Sequence, residues 1–236
     1  MSQTTLNLVA ITIFSLVMAS LLGPLLHLSP VVPAVAAFTI LSVATIDSFS
    51  LQGRLGTLVV DTIAQFFDEH RSRIVRHEAG HFLAAHLLGI PVTGYTLNAW
   101  EALRQGQPGQ GGVSFGTAEL EEQIATGQLS TQLVDRYCTV WMSGIAAEQI
   151  EYGNAQGGTD DRQKIRLLWL QFQRSMGEAD LKQRWALLQA KTLLQDHKAA
   201  YSALVEAMEQ HQSVEICQQA IEAVLKPANL SGRSSI

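Results

Sequence analysis

The chain has 236 residues, 47% of them hydrophobic and 16% charged, with a formal net charge of −5. Such a composition excludes an intrinsically disordered or collagen-like chain, and its acidic balance argues against a nucleic-acid partner. Two cysteines, Cys138 and Cys217, are too few for a disulfide scaffold.

Charge is unevenly placed: all 16 Lys/Arg and all 21 Asp/Glu lie at or after Asp47. Before it run two apolar stretches, residues 6–22 and 31–46, separated by Gly23-Pro24 and Ser29-Pro30. Each is close to the roughly 17–25 residues that cross a bilayer core, so residues 1–50 read as a membrane anchor, a hairpin of two transmembrane helices. A cleaved signal peptide would begin with Lys or Arg, and residues 1–5 have neither. The turn between the spans carries no basic residue, whereas Arg54, Arg71, Arg73 and Arg76 follow the second. The positive-inside rule then keeps the remainder on the cytoplasmic or an equivalent side. Residues 51–72 read as an amphipathic connector helix, with Leu55, Leu58, Val59, Ile63, Phe66 and Phe67 at helical spacing.

His77-Glu78-Ala79-Gly80-His81 is an HExxH sequence inside a helical stretch over 71–88, which Gly89 and Pro91 stop. At about 100° per residue, the two imidazoles lie about 40° apart on the helix and can grip one zinc ion. Glu78, about 100° from His77, is kept off the metal and beside a water whose pKa zinc lowers to about 7. That is the arrangement for attack on a peptide carbonyl, with Glu78 as general base. A third ligand must come from elsewhere. His86 is turned about 140° from His81 and faces away. The longer HExxHxxGxxH pattern also fails, since Ala84 and Leu87 stand where its glycine and third histidine belong.

Downstream, Gly144-Ile145-Ala146-Ala147-Glu148 falls in a helix over 131–151 that ends before Gly153. Gly157-Gly158-Thr159-Asp160-Asp161 then opens another, with Thr159 as the expected N-cap and both acids in the first turn, favouring the helix dipole. In this order the three blocks resemble the peptidase domain of the FtsH family, membrane-bound ATP-dependent zinc proteases, over about residues 73–225. The resemblance implies Asp161 as third zinc ligand and Asp160 as its neighbour. It implies Glu148 as a structural or orienting residue and the weaker alternative ligand. Three departures stand out. No GxxxxGK[ST] phosphate loop occurs, so the chain lacks the family's ATPase; Ile145 replaces an arginine common there; and 98–112 is a long loop-rich insertion.

Residues 92–97 and 112–115 read as strands of a hairpin or small sheet, whose edge could hold an extended peptide. Helices are expected over 161–176, 180–195, 197–210 and 214–225, with Leu181, Trp185 and Leu188 as an apolar stripe that Thr192 interrupts one turn later. The expected fold is therefore mainly α. It comprises the transmembrane hairpin, an FtsH-type helical zinc-peptidase domain over 73–226 with a small β-hairpin or sheet and a C-terminal helical bundle, and a flexible tail over 227–236. The expected function is a membrane-anchored zinc metalloendopeptidase that cleaves loosely folded or membrane-derived polypeptides without its own ATPase. Its associates would be a homo-oligomer or an ATPase partner, with neither nucleotide nor nucleic acid bound. The rival reading is a non-proteolytic membrane scaffold or assembly partner of an ATP-dependent protease. An intramembrane protease of the site-2 type is opposed by Asp68, Glu69, Arg71, Arg73 and Arg76 just before the zinc helix, which are costly in lipid.

Overall fold

A computed structural model describes residues 3–50, 68–104 and 112–226. The tail over 227–236 and most of the connector over 51–72 lie outside the described residues. The chain divides into two compact units, one of Met1–His70 and Asn98–Gly111, the other of Arg71–Leu97 and Gly112–Ile236.

In the first unit, α1 (Gln3–Leu22) runs into a 3-10 turn (Gly23–Leu26) and, after His27 in the left-handed region, into α2 (Val31–Ser50). The two helices pack on each other, yet their large side chains face outward: Phe14 is 65% and Phe38 73% exposed. The Val9–Leu26 stretch is long and apolar enough to cross a membrane, with a mean hydropathy of 2.2; the apolar stretch in α2, Val31–Asp47, is shorter. Hydroxyls that would be costly in an apolar medium are paired within α2, Thr39 Oγ1 donating to Val35 O and Thr45 Oγ1 to Leu41 O. Residues 98–104, expected as loop, instead form the short helix α4 (Ala99–Arg104), capped by Asn98, whose side chain accepts from the Glu101 N–H.

The second unit is helical apart from one small sheet. Its elements are α3 (Asp68–Leu87, which begins in the first unit), β1 (Val92–Thr96), β2 (Gly112–Phe115), α5 (Ala118–Thr126) and α6 (Thr131–Tyr152). They are followed by α7 (Thr159–Gln171), α8 (Met176–Asp196), α9 (Lys198–Glu209) and α10 (Val214–Leu225). The strands pair antiparallel, Tyr95 opposite Val113 and Thr96 opposite Gly112, with an irregularity between Val92 and Gly94. Helix α6 is the centre of the fold, buried without interruption from Tyr137 to Glu148. It starts at Ser130, whose hydroxyl accepts from Leu133 N, and ends at Gly153 with φ +77. Helix α3 crosses it at Gly80, where an added Cβ would lie 2.5 Å from Ser143 O and 2.8 Å from the Ala147 Cβ. Only glycine permits that approach, and it sets the depth at which the HExxH turn meets α6.

Two expectations about the later helices change. The stretch expected over 161–176 breaks at 172–175, where Gln173 takes φ +53, and α8 begins at Met176. The cause is local: the Ser175 hydroxyl accepts from Glu178 N and starts a new helix. Moreover, α8 buries Ala179, Gln183, Ala186, Ala190 and Leu194, not the expected stripe of Leu181, Trp185 and Leu188, which is exposed. Small side chains let α8 lie close against α6, and that packing outweighs the pull of the larger residues on the other face.

Candidate metal centre

Helices α3, α6 and α7 converge on one buried point. His77 and His81 come from adjacent turns of α3, and Asp161 from the first turn of α7; all three are buried. His77 Nε2 is 3.2 Å from Asp161 Oδ2, His81 Nε2 is 3.2 Å from the same oxygen, and the two Nε2 atoms are 3.1 Å apart. A tetrahedral ion with bonds of about 2.0–2.1 Å holds neighbouring donors about 3.3 Å apart, so this triangle fits a single metal ion.

The outer shell fixes which atoms face inward. His81 Nδ1 lies 2.7 Å from Val140 O, a carbonyl that can only accept, so Nδ1 carries the proton. His77 Nδ1 lies 2.7 Å from Glu148 Oε1 and donates to that carboxylate. Both rings thus turn Nε2 toward the Asp161 oxygen, and three atoms able to give an electron pair meet at one point. A cation, whether a metal ion or a proton, balances such a convergence. Burial pulls His77 down, but hydrogen bonds to Asp161 and Glu148 and the nearby Glu78 charge outweigh it, raising it from 6.5 to about 10. Burial pushes the Asp161 carboxyl up, yet His81, His77 and Lys164 hold it well below the ordinary carboxylate range.

Glu148 is the hub of the support. It is 1% exposed and accepts from His77 Nδ1, Arg73 Nη1 (3.1 Å), Gln156 N (2.8 Å) and Gly157 N (3.2 Å). Burial pushes its carboxyl up, but these donors outweigh burial and lower it to about 2. Arg73 also bonds Asn154 Oδ1 at 3.1 Å and stacks 4.1 Å from the Tyr152 ring centroid, which ties the end of α6 to α3. Lys164 Nζ takes the second Asp161 oxygen, Oδ1, at 3.0 Å and leaves Oδ2 for the imidazoles.

Two glycines leave room. At Gly144 an added Cβ would stand 2.4 Å from His77 Nε2 and 2.5 Å from His81 Nε2, pressing on both donor atoms. Gly158, with φ +88, is the residue before α7; an added Cβ there would meet Ile145 Cγ1 at 2.1 Å. It takes the N-cap position expected for Thr159, which is instead the first residue of the helix. The tight, left-handed entry carries Asp161 inward and leaves Asp160 exposed, outside the cluster.

Of the residues singled out in the sequence, His77, His81 and Asp161 therefore meet, Glu148 orients His77, and His86 lies outside the group. Glu78 accepts from the Val113 N–H of β2 at 3.0 Å. On the strand whose edge was expected to hold an extended peptide, this N–H is engaged by Glu78. Sequence reasoning missed Arg73, although it stands four residues before His77 on the same face of α3 and its partner Glu148 had been noted. It also missed the Val140 carbonyl, for which a backbone acceptor offers no sequence signal. Comparison of the chain with protein-family models, curated proteins and solved structures finds no match.

Proposed function

We propose that the chain is a zinc metalloendopeptidase of the FtsH type, anchored in a membrane through its N-terminal apolar helices and lacking an ATPase of its own. The observation that carries this reading is the inward convergence of His77 Nε2, His81 Nε2 and Asp161 Oδ2, with Glu78 one residue along from the first ligand. Two neutral imidazoles and a carboxylate, leaving a fourth position open, are the donor set of catalytic zinc sites. When bound, zinc supplies a Lewis acid that polarises a carbonyl and brings a water near pKa 7.

The chain's own residues account for the rest. Glu148 and Val140 O hold the two imidazoles in the tautomer that ligates. Lys164 restricts Asp161 to one inward oxygen. Glu78 is the proton acceptor from the attacking water and returns that proton to the leaving amine. The Val113 N–H fixes one of its oxygens and orients the other. Substrates in this reading are loosely folded or membrane-derived polypeptides, delivered without ATP or by a partner ATPase. Zinc and peptide bonds are both part of the proposal.

Glu78→Gln is the direct test. It keeps the size of the side chain and removes its basicity, so peptide hydrolysis should fall by about 10²–10⁴, while metal content stays at the wild-type level. A scaffold has no use for that carboxylate. If the variant cleaves model polypeptides at the wild-type rate, or if neither protein cleaves any, the peptidase reading fails and the scaffold reading takes its place.

A further inference from the structure

The outward faces of α7 and α8 are apolar where a helix on a water-facing surface is ordinarily polar. Leu167 and Leu170 on α7 are 55% and 56% exposed, and Leu181 and Leu188 on α8 are both 61% exposed, with Trp185 between them at 38%. On α8 these residues recur at i, i+4 and i+7, on the side opposite the buried alanines. On α7 they lie opposite Asp161, Ile165 and Leu168. The two helices pack on each other and both pack on α6; Lys182 Nζ lies over the Trp185 ring, 3.9 Å from its centroid, while the four leucines stay more than half exposed.

The same stretch is basic in an acidic chain. Residues 162–191 hold seven Lys/Arg against two acids, Glu178 and Asp180, a net +5 where the whole chain is −5. Arg166 and Arg174 form surface ion pairs with Asp180 and Glu178, and Lys164 and Lys182 pair with Asp161 and Asp135 from outside the stretch; counting those two acids as well still leaves an excess of three positive charges, and surface pairs are weak in water. Exposed leucines, a tryptophan among them and a basic surround make up the surface of an interfacial membrane helix: leucines enter the acyl boundary, tryptophan sits at headgroup level, and long basic side chains reach anionic headgroups. A second copy of the chain fits less well, because a two-fold contact through this face would set its positive charge against itself. A bilayer is also at hand, since Val9–Leu26 is long and apolar enough to enter one.

We propose that the α7–α8 face docks on the surface of an anionic lipid bilayer. This holds whether or not the metal centre is catalytic. The full chain reconstituted in vesicles tests it. Cys138 and Cys217 are buried, so a fluorophore can be placed at Leu188→Cys and, as control, at Ser202→Cys on the exposed side of α9. In vesicles of phosphatidylcholine with phosphatidylglycerol, lipid-borne bromine should quench the probe at 188 several-fold more than the one at 202. Phosphatidylcholine alone, or Arg174→Gln with Arg184→Gln, should remove most of that difference. Equal quenching at both positions in the anionic vesicles overturns the proposal, as does quenching at 188 that ignores lipid charge. Shielding of the 188 probe from iodide without quenching by lipid, together with energy transfer between probes on different chains, would assign the face to a second copy instead.

Discussion

His77 is held from both ends, by Glu148 at Nδ1 and by Asp161 beside Nε2, and each contact has a consequence that can be measured. Removing the Glu148 charge leaves the imidazole free to rotate or change tautomer. Glu148→Gln should therefore weaken metal affinity by about 10–100-fold, the usual effect of losing a partner that orients a histidine ligand; competition with a chelator of known affinity reads it, and an unchanged affinity contradicts the orienting role. The raised His77 gives a second test. Its folded value of about 10 lies above the ordinary 6.5, so the metal-free chain holds a proton there at neutral pH that a metal must expel. Metal affinity should rise about tenfold per pH unit above neutrality, with about one proton released per ion, and level off near pH 10. The sign for stability is opposite. In the metal-free chain the raised value contributes stability fully below about 6.5, and that contribution is lost as pH rises through about 10. Calorimetry in buffers of different ionisation enthalpy counts the proton, and binding without proton release would contradict the site. At this scale much was legible. HExxH puts two histidines on one helix face because they lie a turn apart, and the Gly-rich turn before Asp161 pointed to the third member of the cluster through its resemblance. The Val140 carbonyl and the Val113 N–H were hidden, because every residue has those groups and only the fold aims them.

At the scale of elements, α8 is the instructive case. Its sequence offers two apolar faces, one of large residues and one of alanines, and periodicity alone favours the larger. The fold buries the alanines because α8 lies along α6, where close approach gains more contact than bulk does. Lengthening a side chain on the buried face should therefore be costly: Ala190→Leu is expected to destabilise by about 1–3 kcal/mol through overpacking. Leu188→Gln on the exposed face should change stability by less than about 0.5 kcal/mol. Chemical denaturation of the two variants checks this, and the reverse order would mean that the faces have been assigned wrongly. The boundary between α7 and α8 was also readable in principle, since Ser175 three residues before Glu178 is a helix-start signal that a continuous apolar pattern concealed. Helix α4 was hidden in the same way, its Asn98 cap masked by the glycines and proline that follow.

At the scale of the whole molecule, an uncharged leader precedes a charged remainder. The leader forms apolar helices with outward-facing side chains, while the remainder buries a core and, within it, a cluster of two histidines and an acid. The mainly helical architecture with one two-stranded sheet was legible from periodicity and turn residues. Everything proposed about chemistry depends on that cluster binding a metal. The most direct measurement is the metal content of the purified full chain beside its His81→Ala and Asp161→Ala variants. One zinc ion per chain in the wild type, and loss of it in both variants with the helical signal unchanged, is the predicted result. A wild-type chain that stays metal-free in excess zinc, or an Asp161→Ala variant that binds as tightly as wild type, would contradict it.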